Sequence, residues 1–163
     1  MAVVYLGVGS NLGDRQANID KALALLKENK EIEVQAISSF IETEPEGGAP
    51  QGNFLNGAIK IKTDLLPLDL LSGLKMVERR LGRTKGEPNL PRTMDLDILF
   101  YDDVIILEGK NLKIPHPRLA QRRFVLQPLA EIAPDLVHPK LKKTIKELYE
   151  TLCHESHTKF PGT

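Results

Sequence analysis

The sequence predicts an α+β domain in which an antiparallel sheet carries helices on one face. Apolar, β-branched runs typical of strands alternate with stretches whose apolar residues recur at helical spacing. Their order is strand, helix, strand, strand, helix, strand, which is the ferredoxin-like split βαβ arrangement. The 163 residues fit one domain. We place this domain at residues 1–153, with a frayed tail over residues 154–163.

The first half of the chain contains three predicted strands and one helix. Residues 3–8 form a near-continuous apolar run, which indicates a buried central strand. Residues 32–43 alternate loosely and residues 54–63 alternate cleanly, so each predicts a strand. The ten residues between them contain three glycines and two prolines and predict a loop. The helix follows Asp14, a suitable N-cap, and its apolar stripe is Ile19, Ala22, Leu23 and Leu26.

The second half repeats the pattern and then extends it. Pro67 suits the first turn of a helix that Gly82 terminates. A punctuated loop leads to a strand over residues 94–101, and residues 104–107 are predicted to pair back on it as a short hairpin strand. The last helix has a possible Thr144–Glu147 capping box, and its apolar positions are Leu141, Ile145, Leu148 and Leu152. Helices over one face would leave the other face open for a site.

Composition argues against several classes of protein. The 22 Lys and Arg balance the 22 Asp and Glu, whereas a sequence-independent nucleic-acid binder usually carries a basic excess. Cys153 is the only cysteine, so no intrachain disulfide can form, which fits a reducing compartment. No apolar run reaches the length of a transmembrane helix. We therefore expect a soluble, cytoplasmic monomer that binds small molecules.

Asp95 and Asp97 are the strongest candidates for chemistry. Residues two apart on a strand project from the same face, about 6.5–7 Å apart, so the two carboxylates repel unless water, a cation or arginines neutralise them. Such a pair suits Mg²⁺, which takes one or two carboxylates plus waters and phosphates. A solvated polar strand face is the plain alternative. Nearby basic residues favour a polyphosphate: Arg83, Arg92, Lys113, His116, Arg118, Arg122 and Arg123.

A second candidate site lies on the predicted strand over residues 54–63. Phe54 and Asn56 share its polar face, where a phenylalanine is out of pattern. The plain interpretation is a surface aromatic, or one covered by the C-terminal elements. The functional one is a stacking platform beside an amide that can pair with the edge of a flat nitrogen heterocycle, with Phe124 on the other side.

Together these residues resemble the 6-hydroxymethyl-7,8-dihydropterin pyrophosphokinase family of the folate pathway. The most specific block is Pro-Arg-Thr-Met-Asp-Leu-Asp-Ile over residues 91–98, similar to the family signature P-R-T-x-D-L-D-I. Further blocks over residues 6–14, 54–56 and 128–134 occur in the same order, so the resemblance covers nearly the whole chain. It implies the ferredoxin-like α+β core already predicted from the pattern.

The resemblance also implies a reaction. The family transfers the β,γ-pyrophosphate of ATP to the hydroxymethyl oxygen of the pterin, with two Mg²⁺ ions. Asp95 and Asp97 would bind both metals, Asp95 would lie near the accepting hydroxyl, and Arg83 and Arg92 would contact the phosphates and support transfer. The pterin pocket would consist of Thr43, Pro45, Phe54, Asn56 and Phe124. The nucleotide site would include Glu78, Arg92, Ile98, Lys113, His116 and Arg122.

The loop before the signature departs from the family pattern. Lys85 stands where the family usually has a second arginine, and Asn89-Leu90 replaces an aromatic–glycine pair in a loop one residue shorter. A lysine supplies charge but not the bidentate fork of an arginine, so this loop bears on how tightly the site closes. Two alternatives remain at this point. One is a degenerate, non-catalytic homologue; the other is a single-strand RNA-binding module, although aromatics are only 5% of the chain.

Overall fold

The computed structural model describes residues 1–44, 53–82, 94–107 and 109–159, without the side chains of 156–159. Five strands form one antiparallel sheet in the order β2-β4-β1-β5, with β3 also paired to β4. The strands are β1 Ala2–Ser10, β2 Ile32–Ile37, β3 Ile41–Thr43, β4 Phe54–Thr63 and β5 Asp95–Tyr101. The helices are α1 Arg15–Glu28, α2 Pro67–Arg80, α3 Arg123–Ile132 and α4 Ile145–Lys159, with a 3-10 turn at Leu119–Gln121. This topology confirms the predicted ferredoxin-like core.

Local signals in the sequence define where the helices begin and end. The side chain of Asp14 accepts a hydrogen bond from the Ala17 amide at 3.0 Å, so the predicted N-cap of α1 is confirmed. Pro67 occupies the first turn of α2, and Gly82 follows that helix with a φ of +94°, a conformation that glycine adopts without strain. The capping box of α4 is also confirmed, since Thr144 and Glu147 exchange two hydrogen bonds of 3.1 Å.

Apolar side chains pack on both faces of the sheet. The first core lies between one face and the helices α1 and α2, and includes Val4, Leu6, Ile59, Leu74 and Leu96. The second core lies between the other face and the C-terminal elements, and includes Tyr5, Leu99, Phe100, Leu126 and Ile145. The core helices therefore share one face as predicted. The C-terminal elements cover part of the other face, which the sequence analysis had left open.

Three predicted elements differ from the structure. Residues 32–43 form two strands because the chain breaks at Ser38, whose hydroxyl accepts from the Ala58 amide at 2.8 Å. The predicted hairpin strand over 104–107 is wrong, since Ile106 pairs with Ile114 instead of returning to β5. The helix α3 was not predicted because Pro128, normally read as a helix breaker, lies inside it.

The C-terminal helix is longer than expected. The tail was predicted to fray from residue 154, whereas α4 continues to Lys159. Leu141, predicted as part of this helix, lies ahead of its first turn and is exposed. Residues 160–163 lie outside the described part of the chain. Across the described residues, no helix combines the length and apolar character needed to cross a bilayer.

We expect buried His138 to make stability depend on pH. Its ring packs edge-on against Phe100 at 5.5 Å between ring centroids, and its Nδ1 accepts from the amides of Lys140 and Leu141. Burial, with a smaller effect of the Lys140 charge, lowers the pKa of His138 below its ordinary 6.5. Unfolding raises that pKa, so the stabilisation is complete above about pH 6.5 and is lost as pH falls toward the lowered value.

The variant His138→Asn tests this expectation, because its side-chain oxygen can still accept those amides but cannot titrate. At pH 8 the variant should be less stable than wild type by about 1 kcal/mol, because it lacks the ring contact with Phe100. At pH 5 the difference in the free energy of unfolding should be smaller, because wild type has lost part of the stabilisation from neutral His138. Urea unfolding of both proteins at the two pH values measures the difference, and a gap that does not change with pH would contradict the role given to His138.

Candidate functional site

Two rows of residues cross one end of the second sheet face. Gly9 on β1 lies between Asn56 on β4 and Asp95 on β5, and directly paired residues project on the same side. Ala58, Gly7 and Asp97 form the adjacent row in the same way. We call this surface the site face. Since adjacent strands lie about 4.8 Å apart, the α-carbons of Asn56 and Asp95 are separated by about 10 Å.

Gly9 is a candidate site residue that the sequence analysis missed. A β-carbon built at Gly9 would lie 2.6 Å from Oδ1 of Asn56 and 3.6 Å from Cδ1 of Phe54. Any larger residue would therefore displace the amide and fill the space between it and Asp95. The signal in the sequence was a pair of alternate glycines, Gly7 and Gly9, in an otherwise β-branched strand, where glycine often marks a close approach of a ligand.

The amide end of the site face is held in place from several sides. Asn56 is buried, and its Nδ2 donates to Oγ1 of Thr43 at 2.6 Å. This hydrogen bond fixes the orientation of the amide plane, and therefore the direction in which Oδ1 points. Phe54 pairs with Thr43 across the short β3–β4 ladder and is half-buried. Three residues grouped by the sequence analysis, Thr43, Phe54 and Asn56, therefore lie together in the structure.

Arg15 supports this end of the site face and was not predicted. Its guanidinium donates to the Asn53 carbonyl at 3.0 Å and forms an ion pair with Glu42. These two partners are the chain neighbours of Phe54 and Thr43. Arg15 therefore joins the two ends of the long loop at its base.

At the carboxylate end of the site face, the ionised form of Asp97 is disfavoured by burial and by neighbouring negative charges. The pKa of Asp97 is raised from 3.8 to about 7, chiefly by burial and then by the negative charges of Asp95 and Glu78; Lys75 and Arg122 oppose the shift. A divalent cation would relieve this repulsion. The paired oxygen donors fit Mg²⁺, which completes its shell with water and phosphate oxygens. Within the described ranges, no group of three or more His, Cys, Asp or Glu is arranged around a metal position.

Arg122 lies over one predicted pterin-site residue, Phe124, and acts electrostatically on Asp97. Its guanidinium carbon lies 5.5 Å from the centre of the Phe124 ring, within the range of a cation–π contact. The same positive charge lowers the pKa of Asp97. Phe124 lies in the first turn of α3, a helix that packs on β3 and β4. Arg122 thus acts electrostatically on Asp97 while its guanidinium lies over an aromatic residue of the predicted pterin site.

The remaining predicted nucleotide residues are more widely distributed. The side chain of Ile98 is buried in the first core, on the opposite face from Asp97. His116 is half-buried, and its amide donates to the Leu99 carbonyl on β5 at 3.0 Å. Lys113 is exposed. Glu78 is 1% exposed, and its carboxylate accepts from the Leu96 amide.

Several predicted residues lie outside the described part of the chain. They are Pro45, Arg83 and Arg92, together with Lys85, Asn89 and Leu90 of the altered loop. Their proposed contacts with the pterin and the phosphates remain predictions.

The fold and the site face define the class of protein. It is a ferredoxin-like α+β domain with an acidic pair at one end of the site face and an amide beside an aromatic ring at the other. The model of the 7,8-dihydro-6-hydroxymethylpterin-pyrophosphokinase family matches residues 5–134, and the chain belongs to this family. Its members are ATP-dependent pyrophosphokinases of folate biosynthesis, and this protein is one of them.

Individual relatives agree with this assignment. The chain is 48% identical over 147 residues to 2-amino-4-hydroxy-6-hydroxymethyldihydropteridine pyrophosphokinase of Aquifex aeolicus, covering 90% of both chains. It is 45% identical over 130 residues to the enzyme of the same name from Bacillus subtilis, covering 80% of this chain and 77% of the relative.

Solved structures agree on the fold. A crystal structure of Plasmodium falciparum HPPK-DHPS superimposes with a TM-score of 0.80 at 18% identity, covering 98% of this chain and 47% of that one. The chain therefore spans about half the length of that protein. At this identity the likeness concerns the fold alone.

Proposed function

We propose that the protein transfers the β,γ-pyrophosphate of ATP to the hydroxymethyl oxygen of 6-hydroxymethyl-7,8-dihydropterin, with the pterin and the polyphosphate held at opposite ends of the site face. The observation that carries this proposal is the row Asn56–Gly9–Asp95. It places the α-carbons of Asn56 and Asp95 about 10 Å apart on one face of the sheet, and Gly9 between them adds no side chain of its own. A flat bicyclic ring with a side-chain hydroxyl can span that distance.

The amide end suits the pterin. Because Nδ2 of Asn56 already donates to Thr43, the side chain faces the ring edge in one orientation. Phe54 supplies a flat apolar surface, and Phe124 on α3 would cover the other side of the ring. Pro45 would complete the pocket. A side chain at position 9 would press on the Asn56 amide and lie against the Phe54 ring, so glycine at this position leaves room for a flat ring to stack.

The carboxylate end suits the polyphosphate. Asp95 and Asp97 would hold two Mg²⁺ ions, which neutralise charge on the phosphates as transfer proceeds. Arg122, His116, Lys113 and the backbone near Ile98 would hold the nucleotide, while Arg83 and Arg92 would contact the transferred group. The hydroxyl oxygen of the pterin would attack the β-phosphorus and lose its proton to solvent; the bond from that phosphorus to the α-phosphate oxygen breaks, and AMP leaves. Asp95 lies on the pterin side of the pair and would orient the hydroxyl.

The direct test incubates the protein with ATP, Mg²⁺ and 6-hydroxymethyl-7,8-dihydropterin and measures AMP by chromatography. We expect AMP and pterin diphosphate in equal amounts, and no ADP. Folded protein that produces no AMP would support the degenerate-homologue alternative and contradict the proposal. A titration with single-stranded RNA serves as the control for the binding-module alternative, for which the family comparisons provide no support. The proposal includes a cytoplasmic, monomeric enzyme; the single Cys153 fits a reducing compartment.

A further inference from the structure

Glu78, which the family resemblance assigns to the nucleotide site, is a buried carboxylate to which the reaction outlined above gives no step. It lies near the end of α2, 1% exposed, in a helix whose neighbouring residues pack in the first core. Its Oε2 accepts from the Leu96 amide at 2.7 Å, and its Oε1 lies 3.2 Å from Nζ of Lys75. A buried carboxylate is costly unless its hydrogen bonds and ion pair compensate, so its placement calls for a reason.

The hydrogen bond from the Leu96 amide to Glu78 satisfies a backbone donor at the edge of the sheet. β5 is an edge strand, paired only with β1 among the described strands. Alternate amides of such a strand face away from the sheet and require another acceptor when they are buried. The Leu96 amide is one of these, and Glu78 supplies the acceptor from α2. Helix and strand are thereby joined at one peptide group.

That peptide group joins Asp95 to Leu96, and Asp97 follows directly. The two aspartates point to the site face, while the Leu96 side chain is buried in the first core beside α2. A rotation of the peptide between Asp95 and Leu96 would change the relative direction of the two carboxylates. The Glu78 hydrogen bond opposes such a rotation, with a geometry independent of the carboxylates themselves.

We propose that Glu78 is a positioning residue, which keeps Asp95 and Asp97 in their shared metal-binding orientation by holding the Leu96 amide. It acts through the strand backbone, so its effect should appear in metal use and turnover more than in pterin affinity. The part of this proposal that concerns turnover rests on the proposed function. The part that concerns the backbone does not, and each can be tested separately.

The kinetic test compares Glu78→Ala with Glu78→Gln. Loss of a residue that orients metal ligands commonly costs about 10–100-fold, so Glu78→Ala should lower kcat and raise the Mg²⁺ midpoint by about that factor. Its KM for the pterin should stay within about 3-fold of wild type. Glu78→Gln keeps an oxygen acceptor and should recover most of the rate. Glu150→Ala, an exposed glutamate on α4, is the matched control and should behave as wild type.

Two kinetic outcomes would overturn the proposal. One is a folded Glu78→Ala protein with unchanged kcat and Mg²⁺ midpoint. The other is a Gln variant as impaired as the Ala variant, since the hydrogen bond would then not be the cause. If Glu78→Ala fails to fold, hydrogen exchange at the Leu96 amide of the wild type decides the matter. We expect exchange as slow as at the amides paired inside the sheet, and fast exchange would refute the contact even in a protein that makes no AMP.

Discussion

Asp97→Asn is expected to lower the rate of AMP formation on the order of 10³-fold, because it removes one of the two carboxylates that we propose as Mg²⁺ ligands. The same substitution should stabilise the protein in EDTA at pH 8. The folded pKa of Asp97, about 7, lies above its ordinary 3.8. The stabilisation from this group is therefore complete below pH 3.8 and is lost as pH rises through 7.

At pH 8 wild-type Asp97 is ionised beside Asp95 and Glu78, whereas asparagine carries no charge. The free energy of unfolding in EDTA should therefore increase by roughly 2–4 kcal/mol in the variant. At pH 4 the two proteins should differ little. Chemical unfolding at both pH values, together with an AMP assay, measures the two effects.

Asp103→Asn provides the matched control. Asp103 is an exposed aspartate in the turn after β5. It should change neither the rate nor the stability. A variant at Asp97 that keeps more than a tenth of the wild-type rate would remove this carboxylate from the metal site. A variant no more stable than wild type at pH 8 would show that the repulsion within the acidic pair is not a cost to folding.

Phe54→Ala should weaken pterin binding by about 10–100-fold, since stacking a flat heterocycle on an aromatic ring contributes about 1–3 kcal/mol. The affinity for the nucleotide should change by less than about 3-fold, because Phe54 lies at the amide end of the site face, beside Gly9 and Thr43. Calorimetric titration of pterin, with Mg²⁺ and a non-hydrolysable ATP analogue present, gives the first value. Titration of the analogue alone gives the second.

Two further variants separate stacking from simple loss of volume. Phe54→Tyr keeps the flat ring and should bind the pterin nearly as well as wild type. Phe54→Leu keeps apolar volume without a ring face, and its affinity should resemble that of the alanine variant. Equal losses of pterin and nucleotide affinity in Phe54→Ala would exclude Phe54 from the pterin pocket.

The altered loop over residues 83–91 bears on turnover more than on the identity of the reaction. Lys85 provides one charge where the family usually has an arginine fork. Arg83 is the first residue of this loop and Arg92 directly follows it. Both lie outside the described residues. The two main predictions concern Asp97 and Phe54, which lie outside this loop, so they can be tested without assuming how the loop closes.

Elements whose signal is local could be predicted from the sequence. The strand over residues 54–63 was predicted with the bounds that the structure shows, because strict alternation has a period of two. The caps at Asp14 and Thr144 were predicted because they need only neighbouring amides. The break at Ser38 was missed because its stabilising contacts come from distant residues: the Ala58 amide binds the Ser38 hydroxyl, and Glu131 binds the amide of Ser39 at 3.0 Å.

The sequence by itself determined the family, the sheet topology and the residues of the acidic pair, since these depend on periodicity and on a specific motif. Only the tertiary structure decided which residues from different strands and helices lie next to one another. Register placed Gly9 between Asn56 and Asp95, and the edge position of β5 brought Glu78 to the Leu96 amide. The reason is physical: strand period assigns a residue to a face, but pairing across strands and packing of helices on them fix which residues share that face.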